Sequence, residues 1–387
     1  MPVRLTNSVT RKLAIRRFTQ LLAIRRFTQL ADALVKCRIA SKKYDTSIHS
    51  IIAKIFALYS FGQFVPVEIF LWGMANPRFS TKDLDQFISK ERLLEFQGTL
   101  NPHSATLLTE DKRKFYLRCA ELGLPVPRLF AVVEDGVGMS GTGRVLRTPA
   151  DWREELFCDQ FGSFVMKPAH GVYGRDFAVL TYDGTSLRGS SGVLCTPDSF
   201  HEFLQSSTVY RDAVIQARIE NHPSLCKLSG TSALQTVRVV TFMDAANTPR
   251  ILFATLKIIS GENVIDNFEF GRSGNLLGNV DIGTGEINSV LGVDDDGIGL
   301  VTVSHHPSTG EQFENFQLPD WRAACSLVKE AATAFLPLIT IGWDVALTPD
   351  GPMLIEGNDK WGPLENAHRL LERFKAAFEE RMARQSS

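Results

Sequence analysis

The segment Ile341-Gly-Trp-Asp344-Val-Ala-Leu-Thr-Pro-Asp-Gly-Pro-Met-Leu-Ile-Glu356-Gly-Asn358 constrains this chain more than any other. Two apolar runs flank Pro349-Asp350-Gly351-Pro352, a turn sequence, and this predicts strands over 341–348 and 352–358 joined as a β-hairpin. Period-two alternation puts Glu356 and Asn358 on one face, with Asp344 across the ladder. Acidic residues beside a turn are ordinarily just solvated. Here they stand inside apolar runs, where unpaired charge is costly. Two carboxylates and an amide carbonyl form an all-oxygen donor set that suits Mg²⁺ and suits neither zinc nor copper. With so few protein ligands, water and nucleotide phosphates would complete the shell.

A second signal lies upstream in Phe164-Val-Met-Lys167-Pro-Ala-His-Gly171-Val-Tyr-Gly174-Arg-Asp-Phe177. A short apolar strand delivers a lysine, a glycine-bearing loop follows, and a second strand returns from Phe177 to Thr181. Glycines let backbone N–H groups approach phosphate oxygens, and the lysine adds a point charge. This is not a Walker loop, because the lysine precedes the glycines and no Gly-Lys-Ser/Thr opens a helix. A plain hairpin carrying two glycines is the competing reading.

Further segments stand in a fixed order between Asn101 and Gly362: Asp111-Lys112 in an amphipathic stretch, Gly123-Leu-Pro-Val-Pro127, Gln216-Ala217-Arg218-Ile219, Val237-Arg238-Val-Val, Leu256-Lys257-Ile, Asp266-Asn267 and Gly271-Arg272-Ser-Gly274. With the hairpin and the glycine loop, this series resembles the ATP-grasp superfamily, and within it the sugar-transfer-associated, glutamate-ligase-like group. The resemblance implies an α+β fold in which two subdomains grip ATP, here with a helical N-terminal extension. It implies ATP and Mg²⁺ as cofactors, with two ions in the site. Asp344, Glu356 and Asn358 would be the metal ligands. Lys112, Lys167, Gly171 and Gly174 would hold phosphates, and Gln216, Ala217, Arg218 and Ile219 would form the hinge that pairs with adenine. Lys112 reads equally well as a surface lysine. Arg238, Lys257, Asn267 and Arg272 would be the catalytic groups. Arg238 is a guanidinium in an apolar run that needs a partner. Asp266 is a base or a turn residue. Where the family is rich in glycine, this chain has Phe268-Glu-Phe270.

The chain of 387 residues, 44% hydrophobic and 22% charged, is long enough for more than one lobe. The expected organisation is a helical region over 1–99, a preceding segment over 100–150, a lid subdomain over 151–216 and a metal-bearing subdomain over 217–387. A net charge of −1 gives no reason to propose a nucleic-acid partner for the body. Six scattered cysteines argue for reduced thiols in the cytoplasm, against disulfides and against structural zinc. His305-His306, followed by Pro-Ser-Thr-Gly, reads as an exposed loop. No apolar leader follows the start, and the hydrophobic stretch 48–74, interrupted by polar residues, reads as a buried helix pair rather than a membrane span.

Leu-Ala-Ile-Arg-Arg-Phe-Thr-Gln-Leu occurs at 13–21 and again at 22–30. Nine residues turn a helix through roughly two and a half turns, so the second copy faces away from the first. The repeat therefore reads as an exposed arm. From Met1 to Lys43 there are eleven Lys/Arg against one acidic residue, Asp32. A membrane-surface helix, a contact with an acidic partner, a transit-like segment and a plain solvated extension all remain open.

The periodicities predict a helix over 109–122 opened by Thr109, a strand over 129–134, a flexible loop over 136–143 and helices over 149–157, 198–206 and 319–336. Strands are predicted over 213–218, 234–243, 250–260 and 276–288. The function that follows is an ATP-dependent carboxylate–amine ligase acting through an acyl-phosphate, in cell-surface polysaccharide or natural-product biosynthesis. The alternatives are a phosphotransferase on the same scaffold and a non-catalytic nucleotide-binding protein.

Overall fold

Strand-forming runs separated by turn residues become two antiparallel sheets in the computed structural model. It describes residues 31–80, 83, 87–157, 162–171, 176–190, 192–362, 377–379 and 381. The chain divides into two compact units, one formed by the helices before residue 86 with the segment 293–301, the other by the remainder. The duplicated arm at 13–30, Cys158 and Gly174 lie outside the described residues.

In the N-terminal unit, helices span 31–43, Ile48–Gly62 and Pro66–Leu71. Ser47 caps the second by accepting from the Ser50 N–H, and Pro66 opens the third, where its missing N–H costs nothing. Lys43 reaches Asp296 at 2.9 Å and the Ile298 carbonyl at 2.8 Å, tying the 293–301 segment to the first helix.

The larger unit holds both sheets. The first runs in the spatial order Val145–Leu146, Val137–Ser140, Leu129–Glu134, Ala213–Ala217, Ser163–Pro168, Ala178–Tyr182, Leu187–Gly189, Gly192–Cys195. Its core gathers Trp152 and Leu156 from one helix, Phe200 and Leu204 from another, and Phe164 and Met166 from the sheet. In the second sheet Ile287–Val293, Leu276–Val280, Pro249–Ile258, Thr236–Met243, Thr340–Thr348 and Gly351–Asn358 lie side by side. The helix Trp321–Ala334 buries Trp321, Ala324, Leu327, Val328, Ala331 and Ala332, a three-and-four spacing that lays one apolar stripe on this sheet.

Several expected elements differ. The helix predicted over 109–122 is two helices, His103–Glu110 and Lys112–Glu121, because Asp111 leaves helical geometry and caps the second through the Arg113 N–H. The stretch 136–143 contains a strand rather than a flexible loop. Asp135 and Gly136 take φ of 50° and 78°, the left-handed pair that a two-residue hairpin requires. The strand expected over 276–288 is interrupted after Val280, where the Asp281 carboxylate accepts from the N–H groups of Gly283 and Thr284 and bends the chain. His306 is buried, with Nε2 at 2.8 Å from the Ile259 carbonyl, whereas His305 is exposed.

Candidate functional site

The hairpin of 340–358 sets the site. Asp344 pairs directly with Glu356 across one ladder and with Arg238 across the other, so three charged side chains form one row over three strands. Lys257 joins the same face from the next strand: Thr255 is the residue opposite Arg238, and Lys257 follows two positions later. Asn358 is opposite Gly342 and donates its amide N–H to the Gly342 carbonyl at 3.3 Å, which leaves its carbonyl oxygen as the end able to ligate. A Cβ on Gly342 would come within 3.1 Å of the Arg238 Cδ and 2.8 Å of the Trp361 Cβ, so glycine makes room for the arginine stem.

The row is dry at one end and wet at the other. Arg238 grips Asp344 with two donors, Nε to Oδ1 at 2.7 Å and Nη2 to Oδ2 at 3.0 Å. Lys257 Nζ adds a third contact to Asp344 at 2.9 Å, and lies 3.8 Å from Asp266. These side chains are 12% exposed or less. Burial alone would raise the Asp344 carboxyl, but Arg238 and Lys257 outweigh it and hold the group well below the usual carboxylate range. Burial has the upper hand at Asp266, which is shifted upward although Lys257 opposes it and Thr236 donates to it through both N–H and hydroxyl. Glu356, at 30% exposure, pairs instead with Lys112 at 2.9 Å.

Lys112 connects this row to the glycine loop. It is the first residue of its helix; its N–H donates to the Ala169 carbonyl and its Nζ to the Gly171 carbonyl, both at 3.0 Å. Lys167 is the penultimate residue of the strand that enters the loop. Its Nζ is 3.3 Å from the Tyr116 hydroxyl and 5.7 Å from that ring's centroid. Burial pulls the Lys167 ammonium down to about 8, against the opposing charge of Glu356. The Tyr116 hydroxyl in turn donates to the Ile355 carbonyl at 2.7 Å.

A cleft of about 780 Å³ opens onto these groups; Lys112, Lys167, Lys257, Asp266, Asp344 and Glu356 line it, as do Gly171, Asn267 and the strip Gln216–Ile219. That volume suits a nucleotide-sized ligand. Arg238 stands behind the cleft wall with Asp344 as its partner, and Arg272 is not among the lining residues. Asn267 and Arg272 flank a turn in which Glu269, Phe270 and Gly271 all have positive φ (49°, 55° and 82°). Asn275 holds that turn through the Ile265 and Asn267 carbonyls.

Two features escaped sequence reasoning. Tyr116 reads as a core aromatic on an amphipathic helix, and nothing in its spacing announces a contact with Lys167. Gln216 reads as one residue of the hinge, with nothing to single out its side chain, yet its buried Oε1 has no hydrogen-bond partner among the described residues while the residue lines the cleft. An unsatisfied buried acceptor costs about 1–3 kcal/mol, and a ligand donor would relieve it.

Residues 91–372 match the sugar-transfer associated ATP-grasp family, more than half of the chain. The chain belongs to that family. No curated protein matches it. Among solved structures it is similar to an N5-carboxyaminoimidazole ribonucleotide synthetase in its ADP complex, at 11% identity and a TM-score of 0.41 over 76% of this chain and 59% of the other. It is also similar to a D-alanyl-alanine synthetase A from Vibrio cholerae, at 13% identity and a TM-score of 0.40 over 73% and 66%. An L-amino acid ligase from Bacillus licheniformis is a third, at 12% identity and a TM-score of 0.36 over 72% and 52%. The ATP-grasp chain thus spans less than two thirds of each of these proteins.

Tyr116→Phe tests the hydroxyl bridge of this ATP-grasp site. Its loss strands the Ile355 carbonyl and removes the acceptor beside Lys167, so stability should fall by about 1–2 kcal/mol and nucleotide affinity should fall several-fold. Urea unfolding and nucleotide titration measure the two effects. A lower stability with unchanged affinity would confine Tyr116 to a packing role.

Proposed function

We propose that this ATP-grasp protein is an ATP-dependent ligase that joins a carboxylate to an amine through an acyl-phosphate. The observation that carries the reading is the charged row Arg238–Asp344–Glu356 with Lys257, Lys112 and Lys167 around one cleft. Three lysines line the cleft with three carboxylates, counting Asp266, and Arg238 backs Asp344 from behind the wall, which suits a polyanionic ligand.

The donor set fits Mg²⁺ in kind: two carboxylates directly opposed and one amide carbonyl, all hard oxygens. Among the described residues no cluster of three His, Cys, Asp or Glu side chains could hold a metal alone, so water and phosphate oxygens must complete any shell. When bound, the metal supplies Lewis-acid charge to the transferring phosphoryl group. Until then Arg238 and Lys257 hold Asp344, and Lys112 holds Glu356, keeping the acidic donors aimed.

In the proposed reaction a substrate carboxylate oxygen bonds to the γ-phosphorus of ATP as the bond to ADP breaks. An amine nitrogen then attacks the acyl carbon and phosphate departs. Lys167, Lys112 and Lys257 neutralise the charge spreading over phosphoryl oxygens. Asp266, whose carboxyl is raised by burial, is a candidate to take the amine proton. The Gln216 oxygen would accept from the adenine amino group, beside the extended backbone of Ala217–Ile219. Scattered cysteines, five of them free thiols among the described residues, support a reducing compartment such as the cytoplasm. Carboxylate–amine pairs screened for ADP release, with the adduct detected by mass, test the reading. A stable phosphorylated product formed without an amine would replace the ligase with a phosphotransferase.

Lys167 adds a pH dependence of known sign. Its ammonium titrates near about 8 in the free protein, so the charge that meets phosphate is present below that pH and lost above it. Nucleotide affinity should hold up to about pH 8 and then fall by up to about tenfold per pH unit as a proton must be taken up on binding. Titration calorimetry in two buffers reads the proton uptake directly. Lys167→Arg, which stays charged, should flatten the profile; an unchanged profile in that variant would assign the titration elsewhere.

A further inference from the structure

We propose that the N-terminal helical unit lies on an anionic lipid bilayer, with the outward face of the helix Ile48–Gly62 as its apolar contact. An ordinary surface helix turns charged side chains to water. Here the outward positions Ile52, Phe56 and Tyr59 recur at intervals of four and three residues, and are 43%, 72% and 54% exposed. Ala53 and Ser60 share that side, and Phe61 at the helix end is 77% exposed. The one Lys, Arg, Asp or Glu in the helix, Lys54, is turned away from this use: its ammonium donates to the backbone carbonyls of Asn76 and Phe79. The helix 31–43 likewise exposes Leu34 and Val35, followed by Arg38 and Lys42.

Charge selects the partner. Residues 1–85 and 293–301, which make up this unit, carry fourteen Lys/Arg against eight acidic residues, three of them Asp294, Asp295 and Asp296, in a chain whose net charge is −1. The remaining 293 residues are therefore acidic, with 28 Lys/Arg against 35 Asp/Glu. Seven of those fourteen fall in the first thirty residues, which contain no Asp or Glu and lead directly into the first described helix. Stable attachment at a membrane surface takes two signals, and a basic segment that precedes an aromatic-bearing apolar helix in the chain supplies both. The helix is 15 residues long, and among the described residues no helix is long and apolar enough to cross a bilayer, so it would lie in the interface plane.

Other occupants fit less well. A nucleic acid or acidic protein calls for cations interleaved with the aromatic contacts, and the Ile52–Phe56–Tyr59 face has none. A second copy of this unit would bring the same basic segment against itself.

The test is co-sedimentation of the full chain with vesicles of phosphatidylcholine containing phosphatidylserine, compared with phosphatidylcholine alone. Binding to the anionic vesicles only, weakened by salt, is expected. Phe56→Asp should reduce it by at least about tenfold, since burial of one phenylalanine side chain is lost, and removal of residues 1–30 should reduce it too. Because Phe56 is largely exposed, circular dichroism and nucleotide affinity should be unchanged in that variant. Four outcomes overturn the proposal: no vesicle binding, equal binding by Phe56→Asp, tighter binding to duplex DNA than to vesicles, or a dimer that Phe56→Asp dissociates while vesicles are ignored. None of these depends on the ligase reading, which the adduct screen tests separately.

Discussion

Asp344→Asn should cost the fold about 3–5 kcal/mol, the range expected when one partner of a buried ion pair is removed. The asparagine keeps the shape and loses the charge. Arg238 and Lys257, buried on either side, would then lose the carboxylate that meets them at 2.7–3.0 Å. Among the described residues Asp266, 3.8 Å from Lys257, and Glu356, whose charge also acts on Arg238, are left to compensate. The effect has a defined pH window. Because the folded-state carboxyl is held below its unfolded value, its contribution is complete above about pH 4–5 and decays as pH falls through the folded-state value. Urea unfolding of the two proteins at about pH 7 and about pH 3 should give a large difference that shrinks in acid. A loss smaller than about 1 kcal/mol at neutral pH, the size of an exposed pair, would contradict the buried network.

Much of this site is legible in sequence because its information is local. Apolar alternation around Pro349-Asp350-Gly351-Pro352 fixes both strands and hence the Asp344–Glu356 pairing, and the apolar run before Lys167 fixes the strand that delivers it. What is not legible depends on partners far along the chain. Arg238 announces that it needs a counter-charge, but its bond to Asp344 spans over a hundred residues and follows from strand order, which no local pattern encodes. The Tyr116 hydroxyl meets Lys167 and Ile355 for the same reason. Other misreadings had a local signal that was outweighed. Asp135-Gly136 is a two-residue hairpin turn, obscured by the glycines that follow it. Asp111 is a helix cap hidden inside a stretch whose periodicity continues through it. The Phe268-Glu-Phe270 departure falls on a turn with two non-glycine residues in left-handed geometry. Such geometry costs of order 1–3 kcal/mol each and persists only when the surroundings enforce it, as the Asn275 side chain does here.

Glu356→Gln should do the reverse of Asp344→Asn: leave stability within about 1 kcal/mol and lower turnover by at least about a hundredfold. The two carboxylates are direct partners in one ladder, so strand register cannot explain a difference between them. Environment can. Glu356 is 30% exposed at the cleft and pairs with Lys112, whereas Asp344 is 8% exposed and held by two cations. A pair of the Glu356 kind, open to the cleft, adds less to the fold than a fully buried one. In the proposed ligase its place in the cleft beside Lys112 is that of a charged oxygen donor that glutamine cannot replace. Unfolding curves, Mg²⁺-dependent nucleotide binding and ADP release with the substrate pair found by screening separate these effects. A variant with normal stability, weakened Mg²⁺ dependence and lost turnover supports the role of Glu356 as a ligand. Near-normal turnover would remove Glu356 from the metal set and, with it, the basis for reading this hairpin as the catalytic half of the cleft.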